Sequence, residues 1–272
     1  MIEWKSGYIQ SGAVRIHYRR AGVGVPLIMV HGMTDSGACW QVWAEQFLPH
    51  YDVVLVDARG HGLSDTPEAH YAPHDHAEDI RAVITQLNLD RPFLMGHSMG
   101  GRTVFVCACQ FPELLRGVIL EDPALEAVGS TYNRAADEEW VAGVYKSLDR
   151  ARTQSIAQLV MQCIVENPTW QACELIPWAE SKHQVGRRIL WVEQERVVPW
   201  TEMIANLGVP TLLVVGGDTA RVIVTAEMAA YIRMLSPFVE IALIRDVGHC
   251  IRRENPRAFA ALVWSFLRGS EK

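Results

Sequence analysis

The chain has 272 residues, of which 49% are hydrophobic, enough to fill a globular core. Its formal net charge of −6 and its lack of long basic runs argue against nucleic acid as a partner. The sequence contains no run of about 18 apolar residues, and its N-terminal segment lacks the apolar centre of a signal peptide. We therefore expect no membrane partner and a cytoplasmic protein.

Cysteine and histidine usage predicts neither disulfides nor a metal site. Six cysteines are scattered without a Cys-x-x-Cys pair, as is typical of reduced, intracellular chains. His70, His74 and His76 lie around the start of a predicted helix, and no fourth ligand follows at a spacing that suits zinc. We expect these histidines to cap the helix or to lie as polar residues on the protein surface.

Apolar runs and amphipathic segments alternate along the first part of the chain. Two antiparallel strands are predicted within the first 30 residues, followed by buried strands at 26–32, 51–60, 91–98 and 117–123. Helices are predicted between them at 37–48, 74–89 and 99–111. This alternation predicts a parallel sheet with helices on both faces.

The pattern stops at residue 124 and resumes near residue 207. The intervening segment is helix-like and holds five of the nine tryptophans: Trp140, Trp170, Trp178, Trp191 and Trp200. A strand at 209–217, a helix at 222–235, a strand at 238–244 and a helix at 255–268 then complete the alternation. We predict an eight-stranded, mostly parallel α/β core domain at 1–123 and 207–272, and a helical cap domain at 124–206.

A cap at this point of the chain would cover the carboxyl edge of the sheet, where open α/β sheets bind their ligands. Trp140, Tyr145 and Trp178 are therefore the candidate substrate-binding residues of an apolar pocket. In the alternative interpretation these aromatic residues form the cap's own core, and the insertion only adds stability.

The segment GHSMGG at 96–101 fits the pattern Gly-x-Ser-x-Gly and falls between a predicted strand and a predicted helix, as this motif requires. Ser98 would occupy a tight, strained turn in which Gly96 and Gly100 leave space that a β-carbon would fill. The helix that follows would direct its free N–H groups at the reacting carbonyl. We predict that Ser98 is a nucleophile rather than an incidental turn residue.

Four motifs, spread over nearly the whole chain, resemble those of the α/β-hydrolase superfamily in order and spacing. They are HGMTDS (31–36), DARGHGLSD (57–65), GHSMGG (96–101) and DVGHCIRREN (246–255). The resemblance implies an α/β-hydrolase fold and a serine that attacks a carbonyl carbon without a metal or an organic cofactor.

The resemblance also assigns the oxyanion hole and the base. The backbone N–H of Met99, directly after the nucleophile, is one expected donor, and the N–H of Met33 is the second. His31 is expected only to brace the loop of Met33. His249 comes last in the family's chain order and is the expected general base. His97 is expected to face away from the nucleophile, because neighbouring strand residues alternate faces.

The acid that orients the base has two candidates. In the family it usually follows the seventh strand, where this chain has Asp218, but Asp218 falls one or two residues short of the usual position. Some members place the acid at the end of the sixth strand, where this chain has Asp122. We favour Asp122, with Glu121 pointing away from it. Arg252 or Arg253 is expected to pair with Asp218 or with a carboxylate of the cap.

These parts predict a serine hydrolase, an esterase or lactonase, that cleaves a carboxylic ester or lactone of a small, moderately apolar molecule through an acyl-enzyme. Three alternatives stay open: a carbon–carbon bond hydrolase of vinylogous diketones with the same triad, a haloperoxidase-like side activity, and a ligand receptor with the hydrolase fold. The expected partner is a small-molecule substrate, and a homodimer is open as an alternative to a monomer.

Overall fold

The computed structural model describes residues 3–126, 134–187, 189 and 198–270. Its strands are β1 (Lys5–Ser11), β2 (Val14–Gly22), β3 (Val25–Val30), β4 (Tyr51–Val56), β5 (Phe93–His97), β6 (Gly117–Glu121), β7 (Thr211–Gly216) and β8 (Val239–Ile244). Its helices are α1 (Gln41–Ala44), α2 (Pro73–Gln86), α3 (Met99–Gln110), α4 (Arg134–Arg152), α5 (Ile156–Glu166), α6 (Ala172–Gln184), α7 (Trp200–Met203), α8 (Ala226–Leu235), α9 (Ile251–Glu254) and α10 (Pro256–Gly269).

All the strands join in one sheet, in the order β1-β2-β4-β3-β5-β6-β7-β8. Strand β2 runs antiparallel to both of its neighbours, and every other pairing is parallel. The four strands β4 to β7 are buried along their whole length, which explains their near-continuous apolar sequences. The expected eight-stranded, mostly parallel sheet is confirmed.

Apolar layers cover both faces of the sheet. Alternate residues of β4 separate them: Val54 and Val56 belong to a cluster that includes α2, α3 and α8, whereas Val53 and Leu55 belong to a cluster that includes α10. This division follows from the two-residue period of a strand, which sends successive side chains to opposite faces. The prediction of helices on both faces is confirmed.

Two predicted helices differ from the observed ones. The segment 37–48 forms only the four-residue helix α1 between two 3₁₀ turns. The helix expected at 222–235 begins at Ala226, after a cap in which the Thr225 side chain accepts a hydrogen bond from the N–H of Met228. The backbone N–H groups of Ile223 and Val224 instead donate to the side chain of Asp122.

Helices α4 to α7 lie between β6 and β7, within the range 124–206 that the sequence assigns to a cap. Trp178 packs there against a buried cluster formed by Ala151, Leu159 and Ala179. Trp191 lies outside the described residues. The division into a core domain and a cap that acts as a lid stays a prediction. No described helix has both the length and the hydropathy needed to cross a bilayer.

Helix α3 packs unusually close to β3, because Gly100 has no side chain. A β-carbon on Gly100 would clash with the carbonyl oxygen of Val30 and would lie 2.6 Å from that of His31. Both neighbours are backbone atoms of a buried segment, so they cannot move aside without displacing the strand. By contrast, a β-carbon on Gly143 in α4 would have no heavy atom within 4 Å.

We expect Gly100→Ala to lower the free energy of unfolding by about 2 kcal/mol or more, because the new methyl group overpacks the contact between α3 and β3. The matched control, Gly143→Ala, should raise the free energy of unfolding by about 0.5–1 kcal/mol, because alanine favours the helix. Urea denaturation followed by circular dichroism measures both changes. Equal effects of the two substitutions would show that the close approach is not a constraint on the fold.

Candidate active site

Ser98 occupies the turn between β5 and α3. Its φ of 53° and ψ of −116° lie outside the helical and extended regions, which is a strained conformation for a residue with a side chain. The turn is held by hydrogen bonds from the Ser98 N–H to the Glu121 carbonyl and from the Ala124 N–H to the Ser98 carbonyl, each 3.0 Å long. A β-carbon on Gly96 would clash with the carbonyl oxygen of Gly100, so the glycines of the motif are needed for this turn.

The side chain of Asp122 contacts the ring of His249. Its Oδ2 atom lies 2.6 Å from Nδ1 of the imidazole, and the carboxylate is fully buried. The carboxylate also accepts hydrogen bonds from the N–H groups of Ile223 (3.0 Å) and Val224 (2.8 Å). These donors fix the carboxylate, and the carboxylate in turn fixes the orientation and tautomer of the ring.

Asp218 has a different environment from Asp122. Its carboxylate pairs with Arg221 at 2.7 Å, and its side chain is 36% exposed. It also accepts a hydrogen bond from the backbone N–H of Ala220, as a turn residue does. The geometry therefore favours Asp122 over Asp218 as the acid that orients His249.

Glu121 is buried beside this pair but contacts a different group. Its Oε1 atom accepts a hydrogen bond of 2.7 Å from the backbone N–H of Arg252. Burial raises the pKa of Glu121 to about 7, against the opposing attraction of Arg252 and Arg253. The two neighbouring side chains thus contact different groups, and of the two it is Asp122 that reaches the imidazole.

The loop that carries Met33 runs alongside Ser98. A β-carbon on Gly32 would lie only 3.4 Å from Cβ of Ser98, so the backbone immediately before Met33 is adjacent to the serine. Met99 is the first residue of α3, where helical N–H groups have no partner within the helix. Both positions suit oxyanion donors, and the assignment of Met33 and Met99 to that role stays a prediction.

His31 braces this loop. Its Nε2 atom accepts a hydrogen bond of 3.0 Å from the N–H of Ala58, and its Nδ1 atom lies 2.8 Å from the carbonyl oxygen of Gly32. Burial lowers the pKa of His31, which keeps the ring neutral. An accepting Nε2 atom requires the proton on Nδ1, which then donates to Gly32.

His97 lies next to His249, a contact that sequence reasoning missed. The two ring centroids are 4.6 Å apart, and Nε2 of His97 is 3.0 Å from the backbone carbonyl oxygen of His249. Burial, followed by the charge of His249, lowers the pKa of His97 well below its usual value, so the neutral ring donates to that carbonyl. Strand alternation gives the face of a side chain but not its distant neighbours.

The three candidate substrate-binding aromatic residues occupy different environments. Tyr145 packs with Met33 against a small apolar cluster that consists of Leu148, Val185 and Ile189. Trp140 is 55% exposed, and the partly buried Trp178 packs against the cluster of Ala151, Leu159 and Ala179, with its ring 4.7 Å from Nζ of Lys182. Of the three candidates, only Tyr145 packs against the same apolar cluster as Met33.

Charged side chains are buried behind the site. Both Arg252 and Arg253 pair with Glu174 of α6, each at 2.8 Å, so the basic pair contacts a carboxylate of the insertion rather than Asp218. Arg253 also lies 2.9 Å from Asp35, in the loop that follows Met33. The sequence gives no periodic signal for this cluster, because its members are far apart along the chain. Among the described residues, no group of three or more histidines, cysteines or carboxylates is arranged to hold a metal ion.

The family model described as the alpha/beta hydrolase fold matches residues 25–252. The chain therefore belongs to the α/β-hydrolase family, and the resemblance noted in its motifs is confirmed. N-formylmaleamate deformylase from Pseudomonas putida is 28% identical over 267 residues, covering 96% of each chain. The 2-(acetamidomethylene)succinate hydrolase from Mesorhizobium japonicum is 23% identical over 274 residues, covering 95% of this chain and 94% of its own.

Solved structures agree on the fold. A crystal structure of N-formylmaleamic acid deformylase from Pseudomonas putida superimposes with a TM-score of 0.79 at 24% identity, covering 95% of this chain and all of the other. The naproxen esterase of Bacillus subtilis gives a TM-score of 0.76 at 19% identity, covering 98% and 92% of the two chains. The predicted fold class is confirmed, and the named relatives are hydrolases.

We expect Asp122→Asn to lower kcat by about 10³–10⁴-fold, because the amide no longer holds the catalytic tautomer or stabilises an imidazolium. Asp218→Asn, the matched control, should change kcat by less than about threefold, since its carboxylate pairs with an exposed arginine. Steady-state hydrolysis of a p-nitrophenyl ester measures both. A larger loss for Asp218→Asn would show that Asp218, after β7, is the acid that orients His249.

Glu121 should make stability depend on pH. Its folded pKa of about 7 exceeds the ordinary value of 4.5, so its contribution is fully present below pH 4.5 and is lost as the pH rises through 7. A glutamine at this position cannot ionise. We therefore expect Glu121→Gln to be more stable relative to wild type at pH ~8 than at pH ~5, as measured by urea unfolding. The same stability difference at both pH values would refute this expectation.

Proposed function

We propose that the protein is a serine esterase or lactonase that cleaves small, moderately apolar substrates through an acyl-enzyme. Ser98 would be the nucleophile, His249 the general base and Asp122 the orienting acid. The 2.6 Å contact between Asp122 and His249, at the sheet edge where Ser98 occupies its strained turn, is the observation that carries this proposal.

The proposed reaction begins with a proton transfer. Asp122 engages Nδ1 of His249, which leaves Nε2 as the nitrogen that takes the proton from the Ser98 hydroxyl. The serine oxygen attacks the carbonyl carbon, and the N–H groups of Met33 and Met99 stabilise the oxyanion. His249 then gives its proton to the leaving alkoxide. Water, activated by the same imidazole, releases the acid and restores the serine.

An apolar environment near the oxyanion loop supports the proposed substrate class. Met33 and Tyr145 pack against the cluster of Leu148, Val185 and Ile189, and this surface would contact the acyl chain of a bound ester. Trp140 and Trp178 stay candidates for contacts that the insertion makes with larger substrates. The carbon–carbon hydrolase and the receptor stay alternatives based on the sequence alone.

A second candidate activity is the hydrolysis of an N-acyl bond. It is favoured by the two relatives that match nearly their whole lengths, whose names describe an N-formyl compound and an acetamido compound. The same serine, base and oxyanion donors would serve this reaction, with His249 protonating a leaving nitrogen instead of an alkoxide.

The test compares kcat/KM for three probes: p-nitrophenyl butyrate, γ-butyrolactone and N-formylglycine. We expect measurable turnover and a loss of up to ~10⁶-fold in Ser98→Ala, because a triad acts as a unit. The control Ser270→Ala, at the end of α10, should leave activity unchanged. A loss of less than about tenfold in Ser98→Ala would exclude this serine as the nucleophile, and a preference for N-formylglycine would select the second candidate.

A further inference from the structure

Thr34, the residue after the proposed donor Met33, has an unusual backbone conformation. Its φ is 68°, in the left-handed region that β-branched residues rarely adopt. It is the third residue of a turn closed by a 3.1 Å hydrogen bond from the Asp35 N–H to the Gly32 carbonyl. That position with positive φ favours glycine or asparagine, so the surroundings must hold threonine there.

Helix α6 of the insertion supplies the groups that hold Thr34. The ammonium of Lys182 donates to the Thr34 carbonyl oxygen at 2.9 Å. The Ser181 hydroxyl lies 2.9 Å from the same oxygen and 2.7 Å from the carbonyl oxygen of Trp178, so its single hydrogen is shared between the two. Lys182 also lies 3.0 Å from the Thr34 hydroxyl and 3.2 Å from the carboxylate of Asp35. Two adjacent residues of the helix thus fix one carbonyl group of the oxyanion loop.

Buried ion pairs connect the contact between Lys182 and Thr34 to helix α9, which closely follows His249. Asp35 pairs with Arg253, Arg253 pairs with Glu174, and Glu174 lies near the start of the same helix α6. Burial alone would raise the pKa of Asp35, but Arg253 and Lys182 hold it below its usual value, so the carboxylate stays charged. A buried charge is costly unless its partner stays in close contact, so these ion pairs resist any displacement of one side chain from the other.

We infer that Ser181 and Lys182 are positioning residues of the oxyanion hole. By holding the Thr34 carbonyl they keep the turn at 32–35 in its strained form and thereby aim the Met33 N–H at the oxyanion. The inference rests on the proposed function. It means that the insertion takes part in the chemical step as well as in substrate binding, since a donor shifted by about 1 Å costs up to ~10²-fold in rate.

The test combines steady-state kinetics with a trifluoromethyl ketone, which the serine converts into a hemiketal that carries an oxyanion. The variants are Lys182→Met, Ser181→Ala and a matched control, His183→Ala, which removes contacts of the same helix with the carbonyl groups of Ala151 and Gln154 inside the insertion. Circular dichroism verifies that each variant is folded.

We expect Lys182→Met to lower kcat by about 10–100-fold, to leave KM nearly unchanged, and to raise the Ki of the ketone by the same factor as kcat falls. Ser181→Ala, which removes one neutral donor, should show the same pattern at about 2–10-fold. His183→Ala should change neither quantity. The parallel loss of kcat and ketone affinity is the readout that general loosening of the insertion would not produce.

Three results would overturn the inference while the wild type is active: a fall in kcat with an unchanged Ki, kcat values of Lys182→Met and the wild type that agree, or equal losses in Lys182→Met and His183→Ala. If Lys182→Met does not fold, Ser181→Ala decides by the same criteria. A wild type that turns over none of the probes and is not inhibited by the ketone would instead overturn the proposed function, and this inference with it.

Discussion

The parallel pairing of β5 with β6 is the constraint on which the candidate site depends. His97 is paired with Glu121, so the residues that directly follow the two strands, Ser98 and Asp122, leave the sheet at the same edge. The strained turn at Ser98 is possible only because Gly96 and Gly100 let α3 approach the strands closely. From this edge Asp122 reaches the imidazole of His249, which arrives from the loop after β8. The register of the sheet thus places Ser98 and Asp122 at the edge to which His249 comes.

Much of this arrangement can be read from the sequence. Continuous apolar runs predict the buried strands, because parallel strands covered on both faces need apolar residues at every position. The Gly-x-Ser-x-Gly motif predicts the tight turn at Ser98. The structure shows why glycines are needed there, because a β-carbon at position 96 or 100 would clash with neighbouring backbone atoms. Loop geometry is less accessible. Choosing between Asp122 and Asp218 requires knowing which carboxylate faces His249, and only three-dimensional contacts give that.

Other features have no local signal at all. The helix expected at 222–235 starts late because the N–H groups of Ile223 and Val224 donate to Asp122, which follows strand β6. Tertiary hydrogen bonds here override helical propensity. The contact of Lys182 with Thr34 and the buried pairs of Glu174 with two arginines join segments that no periodicity relates. Each of these contacts lies at or near the candidate site, where local preference is most often overruled.

We propose that Ser98 attacks a carbonyl whose oxygen is received by the N–H groups of Met33 and Met99. A crystal structure of the protein after reaction with a p-nitrophenyl phosphonate tests it most directly. We expect a phosphorus atom bonded to Oγ of Ser98, with the phosphoryl oxygen about 3 Å from both backbone nitrogens. Phosphonylation of another residue, or a phosphoryl oxygen that points away from both N–H groups, would contradict it.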